Sequence, residues 1–326
     1  MKAFPDVVRL EEIDWEDDRF AIRSFSSDRR LKASLDSVGI LFPPWVWAVE
    51  DHKYALVDGF KRLQWAKDKD LESIPCLVFP GVCRYEQLLL LRVEGRLFGT
   101  PCNAAEKAQI VAKLARTLPH RYVLDHLLAD LGITPRAQVM EKWCRLSEAQ
   151  EDLLSAVASE AVSERVALEL THWGEEERTE ILSLLTEIRC SASIQMEIYE
   201  RISEIALRQD RQRLALMREP EVQSVLKDQQ LNHRQKTQAL RELLAGWRFP
   251  RLHGRERRFA DELKTASLPK RIRILPPPGF EGEHWQLQLT FSGSEELQSL
   301  LEKAKGFAQS DLLVTLMKPE NTDHTH

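Results

Sequence analysis

Apolar and polar positions alternate in several registers along the chain, and the register changes twice. Between about residues 5 and 97 short β-type runs are interleaved with helical ones. VVRLEEI reads as a strand, and RRLKASLDSVGI as a helix with Leu31, Leu35 and Val38 on one face, closed by Gly39. PPWVWAVE alternates as a strand, EDHK turns it into YALVD, DGFKRLQWAKDKDL is a helix with glycine at its entrance, and SIPCLVF is a final strand. This order predicts an α+β domain over residues 1–100.

From about residue 103 the helical period takes over. Asn103 and Glu106 form the pattern of a capping box at the head of AEKAQIVAKLARTL. Further helices are predicted at 122–131, 135–146, 148–157, 163–170, 175–188, 192–208 and 220–245, making an all-α bundle over 101–245 that ends in one long helix. The stretches FPRLHGRERR and LPKRIRILPPPGFEG, rich in Pro and Gly, predict a linker. HWQLQLTF then reads as a half-buried strand, EELQSLLEKAKGFA as a helix with Ser294 as its cap, and DLLVTLMK as a second apolar run. Residues 246–326 thus predict a linker and a small α/β unit suited to self-association, with a frayed tail PENTDHTH.

Composition adds boundaries to this picture. The 326 residues suffice for two or three domains with cores of their own. No apolar run approaches the roughly 18–20 residues of a membrane span, and the first residues turn acidic before a signal sequence could form, so a cytoplasmic protein is predicted. The five cysteines are scattered and contain no CxxC pair, which argues against a disulfide framework or a thiolate zinc site. There is no HExxH, GxxxxGK[ST] or GxGxxG, and no carboxylate pair that marks a glycosidase.

The formal net charge of −5 conceals two opposed blocks. Residues 148–206 hold four cations against 14 acids, a net −10, and residues 207–273 hold 17 cations against eight acids, a net +9. The basic block, with Trp247, Phe249 and Phe259 among its arginines, suits either phosphate backbones or the chain's own acidic helices.

Two local patterns point to chemistry. In YALVDGFKRLQW a strand ends at Asp58, Gly59 permits a tight turn, and Lys61 and Arg62 lie in the first turn of a helix, where amide groups and the helix dipole favour an anion such as phosphate. In HRYVLDHLLADLGITPRAQVMEKWCRLS a first helix would run to Leu131, Gly132 and Ile133 would turn, and Thr134 would cap a second helix beginning at Pro135. Such a helix-turn-helix would put Val139 and Trp143 towards the core and leave Thr134, Arg136, Gln138, Lys142 and Arg145 for DNA phosphates and base edges.

The order of these features resembles the ParB family, with its sulfiredoxin-like N-terminal domain followed by a helix-turn-helix domain. The resemblance rests on Ser37-Val38-Gly39-Ile40, Pro44, Val46, the strand from Tyr54 to Val57, Gly59-Phe60-Lys61-Arg62, Ala66 and Ile74-Pro75-Cys76-Leu77-Val78. It implies a nucleotide pocket for CTP or another nucleoside triphosphate with Mg²⁺, formed by Arg23, Gly39, Asp58, Gly59, Lys61 and Arg62, with Glu94 in the place of the metal-binding motif. It also implies DNA as partner, a homodimeric clamp with slow nucleotide hydrolysis, a partition ATPase as a further partner, and a nucleoid-associated location. Phe60 and Phe42 depart from the family's Glu and Gln, and the absence of a cysteine where sulfiredoxin carries one argues against sulfinic-acid reduction. A nuclease or nucleotide-dependent enzyme on the same fold, drawing on Asp58 and Glu94, and a scaffold with a vestigial pocket are the alternatives.

Overall fold

The apolar runs of the first hundred residues assemble into one five-stranded sheet. The computed structural model describes residues 2–25, 28–50, 53–98 and 101–317. The chain forms two compact units, residues 1–199 and 200–326.

In the first unit the strands are β1 (Phe4–Arg9), β2 (Ile13–Asp14), β3 (Trp45–Glu50), β4 (Lys53–Asp58) and β5 (Ser73–Phe79), with α1 (Arg29–Val38), α2 (Phe60–Asp68) and α3 (Tyr85–Leu97). The sheet order is β1-β5-β3-β4-β2. β1 with β5 and β3 with β4 are antiparallel, while β3 with β5 and β2 with β4 are parallel. The run VVRLEEI is therefore not one strand. It breaks after Arg9 into a 3-10 turn, Leu10–Glu12, held by Arg9 Nη2 on Glu12 at 2.8 Å, and β2 then joins the opposite edge of the sheet. Asp51 and His52 of the predicted hairpin turn lie outside the described residues, as do His324, His326 and the rest of the tail.

Val8, Val46, Leu56, Ile74, Cys76 and Val78 from the sheet close on Leu63 and Ala66 of α2. Burying a side chain such as Leu63 stabilises by roughly 1.5–3 kcal/mol, so this face anchors α2 to the sheet. In β4 the successive residues Ala55, Leu56 and Val57 are all buried, the signature of a strand covered on both faces, and α3 packs against it. The end of β4 and the start of α2 are thereby fixed in place.

The rest of the unit is helical: α4 (Ala104–Thr117), α5 (His120–His126), α6 (Ala137–Ser147), α7 (Glu151–Ala158), α8 (Glu164–Leu170), α9 (Glu175–Ile188) and α10 (Ala192–Gln209), the last shared with the second unit. The predicted capping box is present, with Glu106 N donating to Asn103 Oδ1 at 2.9 Å and Asn103 N donating to Glu106 Oε2 at 3.1 Å. The predicted helix-turn-helix departs from expectation in its first half. α5 stops at His126, residues 127–132 form turns ending in Gly132 at φ 71°, and Ile133 is buried with its amide on the Leu128 carbonyl at 2.9 Å. α6 begins at Ala137, so Thr134 does not cap it and Pro135 precedes it; Arg136, in extended conformation, occupies the cap position. The buried face of α6 is Met140, Trp143 and Leu146, and Val139 is only half-buried.

The second unit continues with α11 (Arg213–Met217), α12 (Pro220–Lys227), α13 (His233–Arg248), α14 (Pro250–Thr265), β6 (Ile272–Leu275), β7 (Gln286–Leu289), α15 (Ser294–Ala308) and α16 (Asp311–Met317). The long helix predicted over 220–245 is two helices, because Asn232 caps α13 by accepting from the amides of Arg234 and Gln235. The predicted linker FPRLHGRERR is helical: Pro250 sits in the first turn, where its missing N–H costs nothing, and the 16 residues of α14 follow. β6 and β7 pair antiparallel, Ile274 opposite Leu287, and Ile272, Leu300 and Ala304 form a small core. No helix among the described residues is long and apolar enough to cross a membrane.

Candidate anion site and nucleic-acid interface

The turn between β4 and α2 requires glycine. Gly59 has φ 97°, and a Cβ there would lie 2.9 Å from Pro44 Cβ and 3.0 Å from Pro44 Cα. Pro44 cannot retreat easily, since its carbonyl accepts the Leu77 amide of β5 at 2.8 Å. α2 starts directly from this turn, with the Arg62 and Leu63 amides on the Gly59 carbonyl, and its earlier amides have no partner within the helix. The positive end of the helix dipole therefore points out at the turn.

A cavity of about 370 Å³ opens here, lined by Asp58, Gly59, Lys61 and Arg62 and also by Arg92 and Arg96 of α3. That size is within the ~300–1,000 Å³ usual for small-molecule sites. Each cation already has a carboxylate. Lys61 pairs with Asp28 and Arg62 Nη2 with Asp58 Oδ2 at 2.9 Å, while Arg62 Nη1 also donates to the Phe42 carbonyl. Arg92 Nη1 meets the other Asp58 oxygen at 3.1 Å, and Arg96 Nη2 meets Glu106 Oε2 at 2.6 Å. Arg92 is the most enclosed, with 11% of its side chain exposed and its Nε buried without a hydrogen-bond partner. Burial pulls its guanidinium below the ordinary value, an effect that Asp58 opposes.

Asp58, Gly59, Lys61 and Arg62 are thus brought together as their spacing predicts. Arg23, Gly39 and Glu94 are not among the residues lining the cavity. The Arg23 side chain pairs with Glu151 and lies over Phe25, although its neighbours Ile22 and Ser24 line the cavity. Gly39, at φ 71°, ends α1 with its amide on the Leu35 carbonyl at 3.0 Å, a turn role. Glu94 is exposed, two residues from both Arg92 and Arg96 and so turned away from their face of α3. Arg92 and Arg96 are the residues that sequence reasoning missed; their i, i+4 spacing places them on one face of α3 but does not say what that face meets.

The donor set does not fit Mg²⁺. A divalent cation of this kind takes oxygen ligands. The cavity's two carboxylates are committed elsewhere: Asp58 to two arginines, Glu106 to Arg96 and the Asn103 amide. Among the described residues no group of three or more His, Cys, Asp or Glu is placed to hold a metal ion.

At the approach to α6 and in its first turn, Thr134, Arg136 and Gln138 are exposed. Lys142 and Arg145 are engaged within the protein, Lys142 Nζ with Glu169 at 2.5 Å and Arg145 with Glu141 at 2.6 Å and His172 Nδ1 at 2.9 Å.

The chain is similar to ParB structures. It is 16% identical to the C-terminally truncated chromosome-partitioning protein ParB from Caulobacter crescentus complexed with CTP-gamma-S, covering 56% of this chain and 99% of that one with a TM-score of 0.26. Against the same ParB complexed to the centromeric parS site the values are 14%, 58%, 96% and 0.34. Against a Pnob8-like ParB-N domain they are 16%, 76%, 98% and 0.40. No protein-family model and no curated protein matches the chain.

The second unit holds a basic cavity of its own, about 550 Å³, at the start of α14. Arg208, Arg248, Arg251 and Arg255 line it beside Phe249 and Glu281. Arg248 Nη2 pairs with Glu204 at 2.6 Å, and Arg208 reaches the same carboxylate at 4.0 Å. Arg248 lies over Phe249 and Arg255 over Phe280.

Proposed function

We propose that this chain is a ParB-like DNA-binding protein whose N-terminal segment, residues 1–100, binds the phosphates of a nucleoside triphosphate such as CTP. The observation that carries the reading is the cavity at Gly59, where Lys61, Arg62, Arg92 and Arg96 surround the exposed amides of a helix start. Residues 101–245 meet DNA through Arg136 and Gln138 at the head of α6, with Thr134, Lys142 and Arg145 as phosphate contacts. Residues 246–326 join two copies, and nucleotide binding closes the dimer on DNA as a clamp that acts in partition or transcription control, with any hydrolysis as a slow timer. A partition ATPase would be its protein partner, and the nucleoid its place of action.

Calorimetric titration with CTP, ATP and GTP, with and without DNA fragments, tests this. One nucleotide should bind, DNA should alter its affinity, and Arg62→Ala should weaken it at least tenfold. Absence of binding by all three nucleotides, with or without DNA, would remove the nucleotide half of the proposal. The nuclease reading lacks comparable support, because Asp58 already carries two arginines and Glu94 does not line the cavity.

A further inference from the structure

The cavity at Gly59 is built for an anion, yet its carboxylates are occupied by arginines. Asp58 offers one oxygen to Arg62 and the other to Arg92, so this triad keeps one positive charge in excess. Glu106 Oε2 accepts from both Arg96 and the Asn103 amide, so withdrawing it for a metal would remove one of the two bonds that cap α4. A divalent cation would enter beside four cationic side chains and find no uncommitted carboxylate among the cavity's lining residues. Guanidinium groups, in contrast, can turn towards phosphate oxygens in paired hydrogen bonds without leaving the cavity. Arg92, with its buried and unpartnered Nε, has donor capacity that Asp58 does not use.

We infer that Arg92 and Arg96 neutralise the polyphosphate of the bound ligand in place of a divalent cation, so that binding at this cavity is metal-independent. On binding, phosphate oxygens take over donors of Arg92, Arg62 and Arg96, and Asp58 and Glu106 keep the remaining ones. This rests on the anion-binding reading of the cavity, and it extends that reading by naming the counter-charge. The two arginines act as binding residues that touch the ligand.

The test uses the full chain and two probes, inorganic tripolyphosphate and CTP, each titrated in EDTA and in Mg²⁺. Affinity for at least one probe should agree within about threefold between the two conditions. Arg92→Gln and Arg96→Gln should each lower it at least tenfold, with far-UV circular dichroism verifying the fold. Binding that disappears in EDTA and returns with Mg²⁺ overturns the inference, as does unchanged affinity in both variants. The metal comparison is made on the unaltered protein, so it stands even where a variant fails to fold. Tripolyphosphate binding without metal, combined with no binding of CTP, ATP or GTP, supports the inference and sinks the nucleotide reading. No binding of either probe in either condition overturns the inference, and overturns the nucleotide reading as well where ATP and GTP also fail to bind.

Discussion

In the cavity at the start of α2, cations and carboxylates of the chain are matched almost side by side: Lys61 with Asp28, Arg62 and Arg92 with Asp58, Arg96 with Glu106. In the cavity at the start of α14, Arg208 and Arg248 share Glu204, and no carboxylate pairs with Arg251 or Arg255 among the described residues. The first arrangement positions each guanidinium before a ligand arrives and demands an exchange of partners. The second holds a less compensated field that attracts polyanions over a distance and weakens with salt. A protein acting as proposed above, with a compact anion at one site and a long one at the other, would have use for each kind.

The sharpest way to break this contrast is Asp58→Asn, which leaves Arg62 and Arg92 facing each other without their shared charge. Removing one partner of a fully buried pair costs ~3–5 kcal/mol. Asp58 is 26% exposed, so a loss of about 2 kcal/mol in urea unfolding is expected, together with tighter tripolyphosphate binding. An unchanged stability would show that the pairing does not organise the cavity. On α6, Arg136→Ala should weaken DNA binding roughly tenfold in fluorescence anisotropy, about 1.4 kcal/mol. Lys142→Ala should cost less than about threefold, because Glu169 already occupies that ammonium. Equal losses would mean that internal pairing does not grade these contacts.

A smaller effect reports the dielectric beneath the first cavity. Cys76 lies in the sheet core, and burial pushes its thiol from 9.0 up to about 12, with the charge of Arg62 too weak to offset it. Between pH 9 and 12 the unfolded chain has lost this proton and the folded chain retains it, so stability falls as pH rises through that window. Relative to Cys76→Ala, the native protein should lose about 1 kcal/mol between pH 8 and pH 10 in thermal unfolding. The same slope in both proteins would place Cys76 in a more polar setting than its neighbours suggest. The smallest change concerns the second cavity. Arg251→Ala and Arg255→Ala should each reduce the slope of log K against log salt for DNA by about one, and a slope unaffected by both would remove the α14 cavity from the interface.

What the sequence makes legible here is what neighbouring residues decide. The β4–Gly59–α2 turn and the Asn103–Glu106 box depend on a few consecutive side chains, and both stand where their patterns put them. Arg92 was not legible as a site residue, because its role depends on α3 packing against β4, 34 positions from Asp58 to Arg92 along the chain. Glu94 carried the right chemistry on the wrong face of that helix. The Pro and Gly of FPRLHGRERR suggest a linker, although proline serves as well at a helix start, and only its surroundings distinguish the two. The start of α6 slipped by two residues because Ile133 is drawn into the core and a tight turn follows it, with the Arg136 amide on the Thr134 carbonyl at 2.8 Å, before the helix begins.

Glu106 joins two of these features in one carboxylate, accepting both Arg96 and the Asn103 amide on the same oxygen. An anion that takes over donors of Arg96 loosens its hold on that oxygen, and the hydrogen bond from the amide shortens and strengthens. The Asn103 amide proton is therefore an intrinsic spectroscopic reporter. Its downfield NMR shift would register occupancy of the cavity from a backbone position in the cap of α4, with no label introduced at the binding site.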